Sequence, residues 1–325
     1  MRYVWMCLFL FGLTINLSAQ WQSAGEPVKV AGSAAEEFTN PVWSPTDGQL
    51  IALTKPDYRG IWLLDLTDGS IRQISDETGA GFGFSWSHNG AAIVTRVAKY
   101  EGRIPFNEIL VYDVATGDYR NLTTTKTRFR DVPRWSNDDA LVYAFAKKDV
   151  VQYETGFVAA KDSVKKSNAL VYNKNGKIAV KNNSENGEAI AKVYDPAKGA
   201  RYINIAVSPD GQKIAFEVMG GNLHTMNVDG SELVDLGEGY RPAWSPDGKY
   251  LAYMITEDDG HRFTASDIYI VPATGGNSMN ITKTADRIEL NPTWSPEGDQ
   301  IAFDDYNAGE VYILAIQPAA VQEEN

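Results

Sequence analysis

The chain has 325 residues, of which 42 are acidic and 30 are lysine or arginine, giving a net charge of −12. That balance argues against nucleic acid and anionic membrane as primary partners. Three dispersed histidines, His88, His224 and His261, with no H-x-x-x-H or H-E-x-x-H spacing and a single cysteine, argue against a metal site, and no cofactor is expected.

Residues 1–19 read as a secretory signal. Arg2 supplies the positive start, Tyr3 to Leu13 the apolar region and Leu17-Ser18-Ala19 a small-residue cleavage site. The apolar run is too short to span a bilayer. Cys7 lies at its front rather than behind it, which disfavours a lipoprotein anchor. Cleavage after Ala19 removes Arg2 and the only cysteine, taking the net charge from −12 to −13. No other window is long and apolar enough to cross a membrane, so the expectation is an exported protein, periplasmic or extracellular, acting as a monomer. Residues 20–26 are then a short leader, 27–317 a single domain and 318–325 a disordered tail.

From Trp43 onward one unit recurs. It begins with an apolar run ending in a turn, as in Trp244-Ser245-Pro246-Asp247-Gly248, and continues in an alternating strand, here Tyr250 to Met254. Proline presets φ at the first corner, aspartate bonds back to nearby amides and glycine accepts the positive φ that ends the reversal. Similar hairpins start at Trp43, Trp86, Trp135, Val207 and Trp294. A third strand follows most of them, such as Gly60 to Asp65 or Glu310 to Leu314, and glycine turns such as Asp68-Gly69 lead to a fourth. Four short antiparallel strands repeated every ~40 to 45 residues predict an all-β fold, a β-propeller of four-stranded blades.

Two features concern how the ring is counted and closed. The last unit has no fourth strand of its own, while Val30 precedes Trp43 by 13 residues, as Leu122 precedes Trp135 and Ile281 precedes Trp294. Pro27 to Ala31 is therefore expected to be the outer strand of the last blade. The gap from Trp135 to Val207 is 72 residues, too long for one unit and short for two. Ala140-Leu141-Val142-Tyr143 recurs within it as Ala169-Leu170-Val171-Tyr172, followed by the turn Asn175-Gly176. Either one blade carries an inserted hairpin near 147–167, or a shortened seventh blade is present.

The W-S-P-D-G-K-x-I-A-F pattern, followed by an I-Y-V-x-D-like strand, resembles the TolB-type propeller repeat, and the resemblance covers nearly all of the chain after residue 26. It implies six blades, an envelope interaction module and binding at the mouth of the channel. The chain departs from that family in lacking the α/β domain that precedes its propeller.

The connections opposite the W-S-P-D-G turns vary most in length, being long at 96–107, 147–167 and 257–266, which marks that rim as the functional face. Arg128, Arg201, Arg241 and Arg287 precede innermost strands and are the candidate ligand-binding residues, since guanidinium forks suit carboxylates and phosphates. They either form a basic funnel or staple neighbouring blades. The repeated tryptophans read as blade packing, whereas Tyr100, Phe106, Tyr153 and Phe263 lie in or beside the elaborated loops. Gly83-Phe84-Ser85-Trp86-Ser87 falls short of the G-x-S-x-G elbow, and no α/β segment remains to house a triad, so no catalytic residue is assigned. The expected function is an exported non-catalytic module binding a protein or an anionic ligand. The alternative is an exported propeller lyase or hydrolase acting on an acidic polysaccharide or peptide.

Overall fold

The computed structural model of the chain describes residues 20–147, 149–156, 169–182 and 191–319. The stretch read as a secretory signal, most of the long connection 147–167 and all but the first two residues of the 318–325 tail lie outside the described residues.

The strands form seven antiparallel sheets rather than the six that the TolB-type resemblance implies. Blades 1 to 7 span 39–75, 84–121, 134–154, 169–194, 202–237, 240–280 and 289–318. The extra blade comes from the long gap after Trp135. Leu141–Phe145 pairs with Arg134–Trp135 and Val150–Glu154, while Ala169–Lys174 starts a separate sheet with Lys177–Asn182 and Lys192–Tyr194. Blades 3 and 4 have three described strands each, so the four-strand pattern did not announce them both.

The apolar residues settle the ring. Seven hydrophobic clusters each join two successive blades, and one of them joins blade 7 to blade 1. The recurring I-A-F triplet follows from strand alternation. Ile214 and Phe216 pack toward blade 4 while Ala215 packs toward blade 6, and all three are fully buried. Ile301, Ala302 and Phe303 repeat the arrangement in blade 7. A large pair faces the preceding blade and a small residue lets the following one approach.

The tryptophans fasten the same joints. Trp86, Trp135, Trp244 and Trp294 each donate an indole N–H, at 3.0–3.1 Å, to the carbonyl of Val42, Ser85, Ala206 and Ala243 respectively, in the innermost strand of an earlier blade. A Trp294→Phe substitution keeps most of the ring and removes that hydrogen bond. The expected cost is about 1–2 kcal/mol, read as a lower urea midpoint with an unchanged slope.

Closure uses both ends of the chain. Val28–Ala31 pairs with the last strand, Glu310–Pro318, as its outer neighbour in blade 7. Trp21–Ser23, within the stretch read as a leader, continues along the same edge at residues 316–318. The Trp21 ring meets Tyr250 and Trp294 edge-on, at centroid separations of 5.6 and 5.7 Å.

Candidate functional site

The face opposite the tight turns opens into a central cavity of about 850 Å³. Innermost strands supply its wall, and the geometry recurs from blade to blade. Asn40, Asn204, Arg241 and Asn291 occupy equivalent positions, with φ of 52°, 48°, 53° and 55°. At each, the pairing with the next strand is interrupted by a bulge. Asparagine tolerates this left-handed region, but arginine does so only under constraint.

Buried carboxylates supply the constraint. Glu217 Oε1 accepts both the Arg241 backbone N–H and the Asn204 side-chain amide, tying blade 5 to blade 6. Asp304 does the same between blades 7 and 1. Its Oδ1 accepts the Asn40 N–H (2.9 Å) and the Asn291 amide (2.8 Å), and its Oδ2 accepts the Thr39 hydroxyl (2.7 Å). Burial pushes the Asp304 carboxyl up to about 6 against the pull of those donors, and burial likewise raises Glu217. Sequence reasoning missed both acids. The available signal was an acidic residue closing an otherwise apolar second strand, as in Lys213–Val218 and Gln300–Asp305.

The rim of the mouth is chemically divided. Aromatic side chains come from blades 1, 2, 6 and 7 and their connections: Tyr58, Phe82, Phe263 and Tyr306. Tyr58 packs edge-on against Phe82, and Phe263 against Tyr306. The cations are Arg130, Arg134 and Arg241, accompanied by Asp131.

The four arginines singled out in the sequence are distributed over this face. Arg241 lines the channel. Arg128 lines a neighbouring hollow of about 480 Å³ with Arg96, Arg130, Tyr100 and Phe106. Arg201 lines a third cavity, of about 770 Å³, between blades 3 and 4. Arg287 lies over the Tyr312 ring at 4.6 Å from its centroid. No single cavity among the described residues collects all four. Arg130, a neighbour of the original set, borders three of these spaces.

Of the aromatic candidates, Tyr100 is 68% exposed, whereas Tyr153 packs edge-on against the buried Phe129. His88 Nδ1 lies 2.8 Å from Asp139 Oδ1, and the His224 ring stacks on Phe216. No group of three or more metal-ligating side chains occurs among the described residues. The Ser85 hydroxyl donates to the Pro133 carbonyl.

A ring of seven antiparallel sheets about a central channel defines the chain as a β-propeller. Comparison then gives it TolB-like relatives. The chain is 32% identical over 117 residues to a protein TolB homolog of Chlorobium luteolum, covering 34% of this chain and 25% of that one. It is 38% identical over 64 residues to dipeptidyl-peptidase 5 of Porphyromonas gingivalis, covering 19% and 9%. The chain thus spans a quarter or less of the curated relatives it matches.

Among solved structures, TolB from Acinetobacter baumannii aligns at a TM-score of 0.53 and 19% identity, over 79% of this chain and 57% of that one. The Cps50 (Swd1) β-propeller domain of Myceliophteria thermophila aligns at 0.62 and 12% identity, over 92% and 100%. A chain of the mitotic checkpoint complex aligns at 0.57 and 14%, over 97% and 98%. No protein-family model matches the chain.

Proposed function

We propose that the chain is an exported, non-catalytic binding module of the cell envelope, whose open face receives a protein segment that is both acidic and apolar. The observation that carries this reading is the rim itself, with aromatic side chains beside three arginines around one cavity. An apolar side chain entering the channel gains burial, and carboxylates beside it meet guanidinium forks. The leader-like start of the chain, from Arg2 to Ala19, and the likeness to TolB support export to the envelope.

The test is capture of partners from an envelope extract by the mature protein, compared with Arg130→Glu and Arg241→Glu variants. Wild type is expected to retain a discrete partner, and each variant to weaken retention by about tenfold, with wild-type binding falling as salt rises. Equal retention by all three proteins would remove the mouth from consideration. Fractionation of the producing cells checks the compartment.

A further inference from the structure

Among the described residues, the joint between blades 3 and 4 is, with that between blades 5 and 6, one of the two thinnest in the ring. Its cluster has five buried apolar residues, Tyr143, Phe145, Leu170, Tyr172 and Ala179, against fourteen between blades 6 and 7. Beside the stacked Phe145 and Tyr172 rings, 5.0 Å apart, lies the 770 Å³ cavity.

Five cations line it: Arg130, Lys147, Lys174, Lys181 and Arg201. Asp149 is the only carboxylate among the described lining residues. None of the five makes an ion pair or side-chain hydrogen bond with a described residue. Several lysines elsewhere are matched: Lys55 pairs with Glu36, Lys99 with Glu77, Lys126 with Glu101, Lys177 with Asp195 and Lys213 with Glu232. In a chain of net charge −12, five cations around one hollow, without an ion-pair partner among the described residues, form a local positive potential suited to a run of carboxylates.

The turn that carries Lys174 is rigid. Asn175 and Gly176 both have positive φ, at 56° and 85°, and the Asn173 side chain accepts the Gly176 N–H at 2.8 Å. The Arg201 side chain lies across Gly176, where an added Cβ would come within 3.3 Å of it. Arg201 is thus packed against the same turn that carries Lys174.

We infer that this inter-blade cavity is an off-axis site for a run of carboxylates on an extended polypeptide. The inference rests on the reading of the open face as a protein-binding surface, because Arg130 and Asn173 border both this cavity and the channel mouth. A single segment can place its apolar part in the mouth and its acidic part here. An acidic polysaccharide fits less well, since Phe145 and Tyr172 are buried against each other and offer no open ring for a sugar to stack on.

The experiment uses the full mature chain and fluorescent deca-glutamate, read by anisotropy at about 50 and 200 mM salt. Wild type is expected to bind with strong salt dependence, Lys147→Glu/Lys174→Glu to bind about tenfold or more weakly, and Lys249→Ala, on the opposite rim, to match wild type. Rescue of the double variant's loss by a deca-lysine probe in place of deca-glutamate supports a charge-specific site rather than a folding defect. Undiminished deca-glutamate binding by the double variant, or no binding by wild type, overturns the site. Tighter binding of oligogalacturonate of equal charge overturns the polypeptide assignment. The partner-capture assay with Arg241→Glu is a separate readout. Lost mouth dependence there, with deca-glutamate binding still sensitive to Lys147 and Lys174, removes the mouth reading and leaves the cavity.

Discussion

Deleting residues 20–31 from a chain that starts at Gln20 is expected to lower stability by about 5 kcal/mol or more, a large share of what a domain has to spare. The deletion removes two strands from the edge of Glu310–Pro318 and takes Trp21 off Tyr250 and Trp294. It also bares the apolar run Val311-Tyr312-Ile313-Leu314, an open edge that templates association. Thermal scans with light scattering check both effects. Full retention of the wild-type midpoint, without aggregation, would mean that the ring does not depend on its amino-terminal latch. Trp21→Ala isolates the anchor and is expected to cost about 2–3 kcal/mol. Trp21→Phe should cost much less, because the indole N–H is buried without a hydrogen-bond partner among the described residues.

The second large effect is on pH dependence and centres on Glu289. The side chain is fully buried, its Oε1 accepts the Thr284 hydroxyl at 2.9 Å, and its Oε2 has no hydrogen-bond partner among the described residues. Burial pushes its carboxyl up to about 7, with Asp267 adding to the rise and nearby threonine hydroxyls and Arg287 opposing it. In the unfolded chain the same group ionises near pH 4. The native state therefore holds the extra proton between about pH 4 and 7, so stability falls as pH rises through that window and levels off above it. Glu289→Gln, neutral at every pH, is expected to exceed wild type by about 1–2 kcal/mol near pH 8 and to match it near pH 4. Urea melts across that range measure the difference. Parallel curves for the two proteins would show that Glu289 is not the titrating group.

Much of the architecture was readable because its causes are local. The Ser-Pro-Asp-Gly turn specifies a hairpin through its own backbone chemistry, and the hydroxyl of Ser245 accepts the Tyr250 N–H across it. The spacing of Val30 before Trp43 identified the closing strand, since a fixed distance to the next hairpin reflects a fixed strand and loop. The blade number was harder. The fourth blade has no Trp-Ser turn of its own among the described residues, and in the fifth Val207 stands where the other hairpins carry tryptophan.

The binding face was legible as a place but not as a set. Arginine before an innermost strand implies nearness to the channel. Whether two such residues share a cavity depends on the number of blades between them. Lys147 and Lys174 acquire their meaning only once blades 3 and 4 are separate sheets with a hollow between. Glu217 and Asp304 act across blade boundaries, so no window of sequence contains both partners.

The latch also orders the chain in time. Lys29 pairs with Glu310 across 281 positions, so the strand that seals the circle is made long before its partner and must wait for it. Every earlier blade can stack on its neighbour as it emerges, but the final seam cannot form until the strand Glu310–Pro318 has been made. Maturation thus ends in one long-range docking step, the slow kind in folding kinetics, during which the unsealed edge needs protection from other chains.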